Sequence, residues 1–239
     1  MNLIIDIGNT RVKMAVFKGK EAVLSLISDH SNINNNIDKL LQKYDLKNCI
    51  YSSVTHILND IEPDKFNFVV NLNHKTRVPF KNKYATPTTL GVDRIALASA
   101  ASYQYPKENV LVIDSGTCVT YDFINAENEY LGGAISPGIN LRYKALNEYT
   151  AKLPLLKQSD FELIGTDTKS SIHSGVVNGY IQEIDGVIAQ YQQKYSNLTV
   201  VLTGGDTIFL AKKLKSSIFA IPNFLLEGLN SILTYNLNE

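Results

Sequence analysis

The chain opens on an apolar run that stops at a carboxylate, turns on small polar residues and resumes as a second apolar run. Three apolar residues lead from Leu3 into Asp6, a Gly-Asn-Thr turn follows, and VKMAVF runs from Val12 to Phe17. Two short apolar runs around a turn that needs the backbone freedom of glycine predict a β-hairpin. Such a turn gathers N–H and O–H donors that suit phosphate oxygens, with the carboxylate tolerated if a cation lies between them. An Asp-x-Gly-Asn sequence is also an ordinary hairpin turn, so both interpretations stay open for this stretch alone.

The same pattern returns near the middle of the chain. Residues 111–124, LVIDSGTCVTYDFI, again carry three apolar residues, an Asp, a Gly-Thr turn and a returning apolar run. Aligning Asp6 with Asp114 places Gly8 over Gly116. Two copies of this pattern, about a hundred residues apart, indicate a duplicated structural unit and favour the phosphate-binding interpretation.

Periodicity predicts the remaining elements. Strands are predicted over residues 21–28, 48–54, 66–72 and 198–202. Helices are predicted over residues 33–44, 91–105 and 170–195, and two more helices are predicted to start at about residue 139 and after Asn223. Residues 73–90 read as a long functional loop, and 132–138 as a sharply turned connection into a helix. Gly179 and Gly186 within the long helix predict close approach of another backbone. The TGGDT turn at 203–207 leads into a helix with Asp206 or Thr207 as N-cap.

Composition narrows the class of protein. The 239 residues are 44% hydrophobic and 19% charged, which predicts one large or two ordinary globular domains. Lys plus Arg equals Asp plus Glu at 23 each, so no charge excess points to nucleic acid or an anionic membrane. We see no signal peptide, and charges interrupt every apolar run before it reaches a membrane-spanning length.

The cysteines and histidines suggest no metal site. Cys49 and Cys118 lack metal-ligand spacing and form no disulfide framework, so we expect a cytoplasmic protein with free thiols. Cys118 is expected to be a buried, small apolar residue and not a nucleophile, because no histidine lies near it in the sequence. The histidines show no ligand spacing either and are expected at the surface or at caps: His30, His56, His74 and His173.

The Gly-containing turns that follow strands at Asp6, Asp114 and Thr203 resemble those of the acetate and sugar kinase, heat-shock ATPase and actin superfamily. The resemblance implies an α/β fold of two similar ribonuclease H-like (actin-like ATPase) domains facing each other across a cleft, residues 1–107 and 108–239. Within that superfamily, five motifs in order resemble type III pantothenate kinase: DIGNTRVK (6–13), GVDR (91–94), DSGTCVT (114–120), GGAISPG (132–138) and AKLP (151–154).

That resemblance implies ATP-dependent phosphorylation of pantothenate to 4′-phosphopantothenate, the first step of coenzyme A biosynthesis. It implies Mg²⁺ with ATP, a monovalent cation (K⁺ or NH₄⁺) at Asp114, and a homodimer built on the helix around Gly179 and Gly186. Asp93 matches the general base of the family. The ATP-binding positions are Asp6, Ile7, Gly8, Asn9, Thr10, Arg11, Val12, Lys13 and Thr117. The substrate-binding positions are Tyr84, Gly91, Val92, Asp93, Arg94 and Thr168.

Three of these positions have alternatives or departures. Asp93 is also a good N-cap for a helix that starts at Arg94, and both roles are compatible because a helix N-terminus favours an ionised carboxylate. Arg94 is either a surface residue or the group that fixes the pantothenate carboxylate or amide. Thr166 and Asp167 depart from the small or basic residues that the family has before its threonine, here Thr168.

Two other functions fit the nucleotide-binding motifs. One is a non-catalytic nucleotide-binding regulatory factor on the same fold, which would act through a protein partner. The other is a nucleotide or polyphosphate phosphohydrolase, which would consume its substrate with no alcohol acceptor. Release of ADP with and without pantothenate discriminates among the three.

Overall fold

The computed structural model describes residues 1–53 and 61–238, so the predicted strand residue Val54 and His56 lie outside the described residues. The chain divides into two compact units. The first unit comprises Met1–Pro106, Asn128–Tyr130 and Asn223–Glu239, and the second comprises Lys107–Glu127 and Leu131–Pro222.

The elements follow one another along the chain much as the periodicity predicts. The strands are β1 Asn2–Ile7, β2 Val12–Lys18, β3 Glu21–Ser28, β4 Asn48–Ser53, β5 Phe68–Asn71, β6 Lys81–Asn82, β7 Asn109–Ser115, β8 Cys118–Ile124, β9 Glu129–Pro137, β10 Leu198–Thr203 and β11 Phe219–Ala220. The helices are α1 Ile33–Lys43, α2 Val92–Gln104, α3 Ile139–Glu148, α4 Thr168–His173, α5 Gly179–Lys194, α6 Thr207–Ala211 and α7 Phe224–Leu237. No helix among the described residues is long and apolar enough to cross a membrane.

The sheet of the first unit has the strand order β3-β2-β1-β4-β5. Strand β1 is antiparallel to β2 and parallel to β4, and β4 is parallel to β5. The apolar side of α1 (Ile33, Ile37 and Leu40) packs on one face of this sheet against a cluster that includes Leu3 and Ile5. Helix α7 packs on β1, β2 and β4. Strand β1 is thus covered by helices on both faces, which explains why its apolar run from Leu3 is not interrupted by polar residues.

The sheet of the second unit repeats this order as β9-β8-β7-β10-β11, and the first residues of β9 also pair with β6. Strand β7 is antiparallel to β8 and parallel to β10, as β1 is to β2 and β4. The registers agree as well, since Asp6 lies opposite Lys13 and Ser52, and Asp114 lies opposite Thr120 and Thr203. The duplicated unit predicted from the two hairpins is therefore confirmed.

The C-terminal helix differs from the predicted division at 107/108. Helix α7 belongs to the first unit, whereas the sequence analysis assigned it with residues 108–239 to the second domain. Helix α7 packs directly on α2. The approach is so close that a Cβ added at Gly228 would lie 1.9 Å from the carbonyl oxygen of Ala96. Sequence order does not reveal such a return to the first unit.

Two other predicted elements differ from the structure. The turned connection predicted at 132–138 is the end of strand β9, which then leads into α3. The single long helix predicted over 170–195 consists of α4, a π-helical turn at Ser174–Asn178, and α5.

Candidate active site

The loop between β1 and β2 is held by hydrogen bonds on both sides of Gly8. Its N–H donates to the carbonyl oxygen of Arg11 at 3.1 Å, and its carbonyl oxygen lies 2.9 Å from Nε2 of His30. Because a carbonyl only accepts, the His30 ring must carry a proton on Nε2. The loop residues Asn9, Thr10 and Arg11 are exposed, so their donors are free to face a ligand. Of the predicted ATP-binding residues, Ile7 ends β1, and Val12 and Lys13 begin β2.

Asp6 lies at the base of this loop, between Lys13 on β2 and Ser52 on β4. The Ser52 hydroxyl donates to Asp6 Oδ1 at 2.9 Å. Burial raises the pKa of Asp6 above its usual range, and the negative charge of Asp93 adds to this, whereas the Ser52 hydrogen bond and Lys13 act in the opposite direction. A carboxylate that is buried beside a second negative charge is unfavourable in its ionised form, and a bound cation would stabilise that form.

Helix α2 starts within the GVDR segment, two residues before the start at Arg94 that an Asp93 N-cap would give. The helix begins at Val92, and Gly91 is its N-cap, with non-helical angles of φ −57 and ψ 138. Asp93 is therefore not the N-cap, and that prediction is wrong. Its Oδ1 accepts from the N–H of Arg94 at 2.9 Å and lies 2.4 Å from where a Cβ at Gly91 would be. A side chain at position 91 would therefore displace the Asp93 carboxylate from this position.

Arg94 is buried, with 5% of its surface exposed, so the alternative of a surface residue is wrong. Its guanidinium carbon lies 5.7 Å from the centre of the Tyr84 ring. The Tyr84 ring in turn lies 6.1 Å from the ring of Tyr130. The structure thus brings the predicted substrate residue Tyr84 against the GVDR segment, although seven residues separate Tyr84 from Gly91 in the sequence.

The second hairpin has a loop of only Gly116 and Thr117 between β7 and β8. The Gly116 N–H donates to the carbonyl oxygen of Cys118 at 2.9 Å, and the Gly138 N–H donates to that of Thr117 at 3.1 Å. Thr117 and Cys118 are exposed, so the prediction of a buried Cys118 is wrong. The residue begins the strand that leaves the turn, where its side chain faces away from the core.

The Gly-rich turn after β10 lies against the second hairpin. Gly204 has φ +96, and a Cβ added there would lie 2.3 Å from Asp114 Oδ1 and 2.3 Å from the Ser115 carbonyl oxygen. The Ser115 hydroxyl donates to Asp206 Oδ2 at 3.0 Å, and the Asp206 N–H donates back to the Ser115 carbonyl at 3.2 Å. Asp206 lies at the predicted N-cap position of α6, but its carboxylate binds Ser115 and caps no backbone group. Burial raises the pKa of Asp206.

Thr168 is the first residue of α4, directly after its N-cap Asp167. The Asp167 carboxylate accepts from the N–H groups of Ser170 and Lys169, and these hydrogen bonds lower the pKa of Asp167. The departure from the family pattern before Thr168 thus has a local role as a helix cap. Thr168 lines a mainly apolar cavity of about 1090 Å³ within the second unit, together with Leu141, Leu146, Tyr149, Leu153, Ile172 and Val176.

Two histidines have contacts that the sequence analysis missed. His30 holds the loop at Gly8, and His173 Nδ1 lies 2.7 Å from the Tyr143 hydroxyl, whereas His74 is exposed. Isolated histidines at irregular spacing gave no signal of these contacts, because each partner is more than twenty residues away. The same is true of Ser52 beside Asp6.

The donors present suit a nucleotide and its cations. Over residues 1–53 and 61–238, no group of three or more His, Cys, Asp or Glu side chains could hold a metal ion by itself. A cation with ATP would then take its remaining ligands from phosphate oxygens and water, which is usual for Mg²⁺. Asp114 adjoins a tight cradle of backbone at Gly204 and the Ser115 carbonyl, and carboxylate and carbonyl oxygens suit a hard cation.

Comparison with known proteins places this arrangement in a family. The sequence profile of the type III pantothenate kinase family matches residues 2–190. The chain belongs to that family. The type III pantothenate kinase of Flavobacterium johnsoniae is 48% identical over 246 residues, which cover 100% of both chains.

Solved structures support the fold alone. A protein from Campylobacter jejuni described as a Baf family transcriptional activator has a TM-score of 0.64 at 24% identity, covering 99% of this chain and 100% of that one. A glucokinase from an Antarctic psychrotroph has a TM-score of 0.53 at 13% identity, covering 98% of each chain. The chain therefore has the mixed α/β fold with two sheets that the resemblance predicted.

Proposed function

We propose that this chain transfers the γ-phosphoryl group of ATP to the primary hydroxyl of pantothenate, giving 4′-phosphopantothenate and ADP, the first step of coenzyme A biosynthesis. One observation within the first unit carries the proposal. Asp93, at the position of the family's base, contributes with its charge to raising the pKa of Asp6, after the larger effect of burial. An acceptor hydroxyl at Asp93 would therefore lie beside the hairpin that binds the phosphates.

The loop residues 8–11 and Thr117 would donate to the phosphates of ATP. Mg²⁺ bound with ATP would neutralise charge on the transferred oxygens, with Asp6 as the nearby carboxylate of the first unit. Asp114 would hold the monovalent cation. Exposed N–H and O–H donors in both loops, next to partly buried carboxylates, support these assignments.

Asp93 would accept the hydroxyl proton of pantothenate as that oxygen forms its bond to the γ-phosphorus and the bond to the ADP oxygen breaks. Its place in the first turn of α2 holds the carboxylate at the start of the helix, beside Gly91. Arg94, held against the Tyr84 ring, supplies a positive charge for the pantothenate carboxylate or amide. Gly91 and Val92 bring the backbone close to the same substrate, and Thr168 contributes a hydroxyl.

We further propose a homodimer, in which a second copy covers the apolar cavity beside Thr168. Leu141 and Tyr149 on its wall are 39% and 82% exposed. Apart from the neighbouring backbone of their own helix, no atom of the described chain lies within 4 Å of a Cβ added at Gly179 or Gly186, so the predicted close backbone would come from a partner. We place the enzyme in the cytoplasm, since its co-substrate ATP is available there and both cysteines are free thiols.

A kinase assay against a panel of small alcohols tests the proposal. ADP release should require pantothenate, and mass spectrometry of the product should show one added phosphoryl group on the pantothenate hydroxyl. Release of phosphate from ATP at the same rate without any alcohol would instead identify a phosphohydrolase. Binding of ATP without turnover of any panel member would identify a regulatory factor.

A further inference from the structure

A chain of buried hydroxyl groups links helix α5 to the second hairpin. The Ser115 hydroxyl lies 2.6 Å from the hydroxyl of Tyr180 on α5 and 3.0 Å from Asp206 Oδ2. Ser115 and Tyr180 are both fully buried, with 0% of their surface exposed. A buried serine between two partners is fixed in one rotamer, because each lost contact would leave a polar group unsatisfied.

The chemistry of the three groups fixes the direction in which each hydrogen bond is donated. Ser115 has one hydroxyl hydrogen, which it donates to the Asp206 carboxylate. The Tyr180 hydroxyl must then donate to Ser115 Oγ. Burial raises the pKa of Tyr180, so this hydroxyl keeps its proton. Successive donation in one direction strengthens each bond through mutual polarisation.

Tyr180 is itself held from its other side. The Arg142 guanidinium lies 4.8 Å from the centre of the Tyr180 ring and forms an ion pair with Glu183, one turn further along α5. Arg142 Nε also donates to the carbonyl oxygen of Pro137 at 2.8 Å, and the Tyr121 hydroxyl donates to Glu183 at 3.2 Å. Arg142 on α3 thus packs against the Tyr180 ring and is itself held by Glu183 and by the Pro137 carbonyl, which limits movement of the ring.

We propose that Tyr180 is a positioning residue for ATP, acting through Ser115. Its hydroxyl holds the Ser115 side chain toward Asp206, and this bond keeps the Gly204–Asp206 turn against Asp114. That turn and Asp114 belong to the nucleotide and cation side of the site, so the inference rests on the proposed function. Tyr180 touches no substrate atom in this scheme. Loss of its hydroxyl would therefore weaken the binding of ATP and leave the binding of pantothenate unchanged.

Replacing Tyr180 by phenylalanine tests the proposal, since Tyr180→Phe removes the hydroxyl and keeps the ring under Arg142. Titration calorimetry with a non-hydrolysable ATP analogue should give about fivefold weaker binding, or about 1 kcal/mol at 1.4 kcal/mol per tenfold. The KM for ATP should rise by a similar factor, with the KM for pantothenate unchanged. Hydrogen exchange at the Gly116 and Cys118 amides should become faster.

Tyr143→Phe is the matched control. Tyr143 is as buried as Tyr180 in the same unit, and its hydroxyl makes a bond of 2.7 Å to His173 that does not involve the hairpin. This variant should lose a similar amount of stability while its affinity for the ATP analogue stays that of the wild type. Equal weakening of ATP binding in both variants would show a general effect of losing a buried hydroxyl, and would overturn the proposal.

A double-mutant cycle decides whether Tyr180 acts through Ser115. In a Ser115→Ala background, Tyr180→Phe should weaken binding of the ATP analogue no further, because its route to the turn is already removed. The same loss in both backgrounds would overturn the proposal. If the wild type binds the analogue but phosphorylates an alcohol other than pantothenate, the proposed function fails while this cycle still tests Tyr180. A wild type that binds no ATP analogue would refute both.

Discussion

At the scale of single residues, the first hairpin depends on side chains that approach it from distant parts of the chain. Ser52 and His30 hold Asp6 and Gly8, and the charge of Asp93 acts on Asp6. Each contact changes either the charge or the shape of the loop that we assign to the phosphates. Substitutions at these residues therefore separate binding from chemistry and from stability.

Asp93→Asn should remove the base while keeping the size of the side chain. We expect kcat for pantothenate phosphorylation to fall roughly a hundred- to ten-thousand-fold, the usual contribution of a positioned base. Affinity for an ATP analogue should stay unchanged, as measured by calorimetry. Asp64→Asn is the control, because Asp64 is likewise the second residue of a helical turn but is exposed. Turnover within tenfold of wild type would remove Asp93 from this role.

Asp6→Asn should stabilise the protein while impairing ATP use. Burial raises the pKa of Asp6 in the folded state. The contribution of Asp6 to the free energy of unfolding is therefore complete below its unfolded-state pKa and is lost as the pH rises through its folded-state pKa. Near neutral pH, the free energy of unfolding of the asparagine variant should be higher than that of the wild type by on the order of 1 kcal/mol, as measured by urea unfolding. In acid, below the unfolded pKa, the difference should vanish.

Two outcomes check this assignment of the Asp6 effect. Asp45→Asn, at a side chain that is 80% exposed, should leave the free energy of unfolding unchanged at both pH values. A variant Asp6→Asn that is less stable than wild type near neutral pH would contradict an unfavourable buried charge.

His30→Leu should loosen the loop at Gly8 and raise the KM for ATP about fivefold, as loss of one hydrogen bond would do. His30→Gln, which keeps an N–H donor, should restore much of the affinity. His74→Leu serves as the control at an exposed histidine. An unchanged KM in His30→Leu would mean that the loop keeps its shape without the ring.

At the scale of elements, both hairpins use the same strand pairing but different supports. The first is held by side chains, whereas the second is packed against backbone at Gly138 and Gly204. Added Cβ atoms there would lie 2.2 Å from the Gly116 carbonyl oxygen and 2.3 Å from the Ser115 carbonyl oxygen. The glycines in these motifs are therefore required by close packing as well as by turn geometry.

The adjacent glycines of the TGGDT turn give a sharp test of this packing. Gly204→Ala combines a clash with Asp114 and Ser115 with an unfavourable positive φ, so it should cost roughly 2–4 kcal/mol of unfolding free energy. Gly205→Ala should be nearly neutral, because an added Cβ there meets no atom within 4 Å. Urea unfolding of both variants measures the difference, and equal stabilities would contradict the close approach.

At the scale of the whole molecule, the chain repeats one sheet order in two units and returns its last helix to the first. The second unit leaves apolar side chains exposed around the cavity beside Thr168. Such a patch is typical of a surface that another protein covers. This is the physical support for the proposed homodimer.

Replacing Leu141 and Tyr149 together by lysine should convert the dimer to a monomer in analytical ultracentrifugation, because two desolvated charges would oppose association. Ile208→Lys is the control, at a residue of the same unit that is 69% exposed and does not line the cavity. It should remain a dimer. A wild type that sediments as a monomer, or a double variant that remains dimeric, would contradict the proposed interface.

The sequence by itself determined the local elements and the motifs. Apolar runs interrupted by Asp-x-Gly predicted both hairpins, because strand alternation and turn chemistry depend on neighbours along the chain. The same local logic predicted α1, α2 and β10. The family followed from motifs that remain in order, independent of how they meet in space.

Only the tertiary structure decided which distant groups meet. It placed His30 on Gly8, buried Arg94 against Tyr84, exposed Cys118, linked Tyr180 to Ser115, and returned α7 to the first unit. These outcomes depend on the packing of surfaces far apart in the sequence, where no periodic pattern records the partner. The start of α2 at Val92 belongs here too, since the approach of the Asp93 carboxylate to Gly91 is a contact in space.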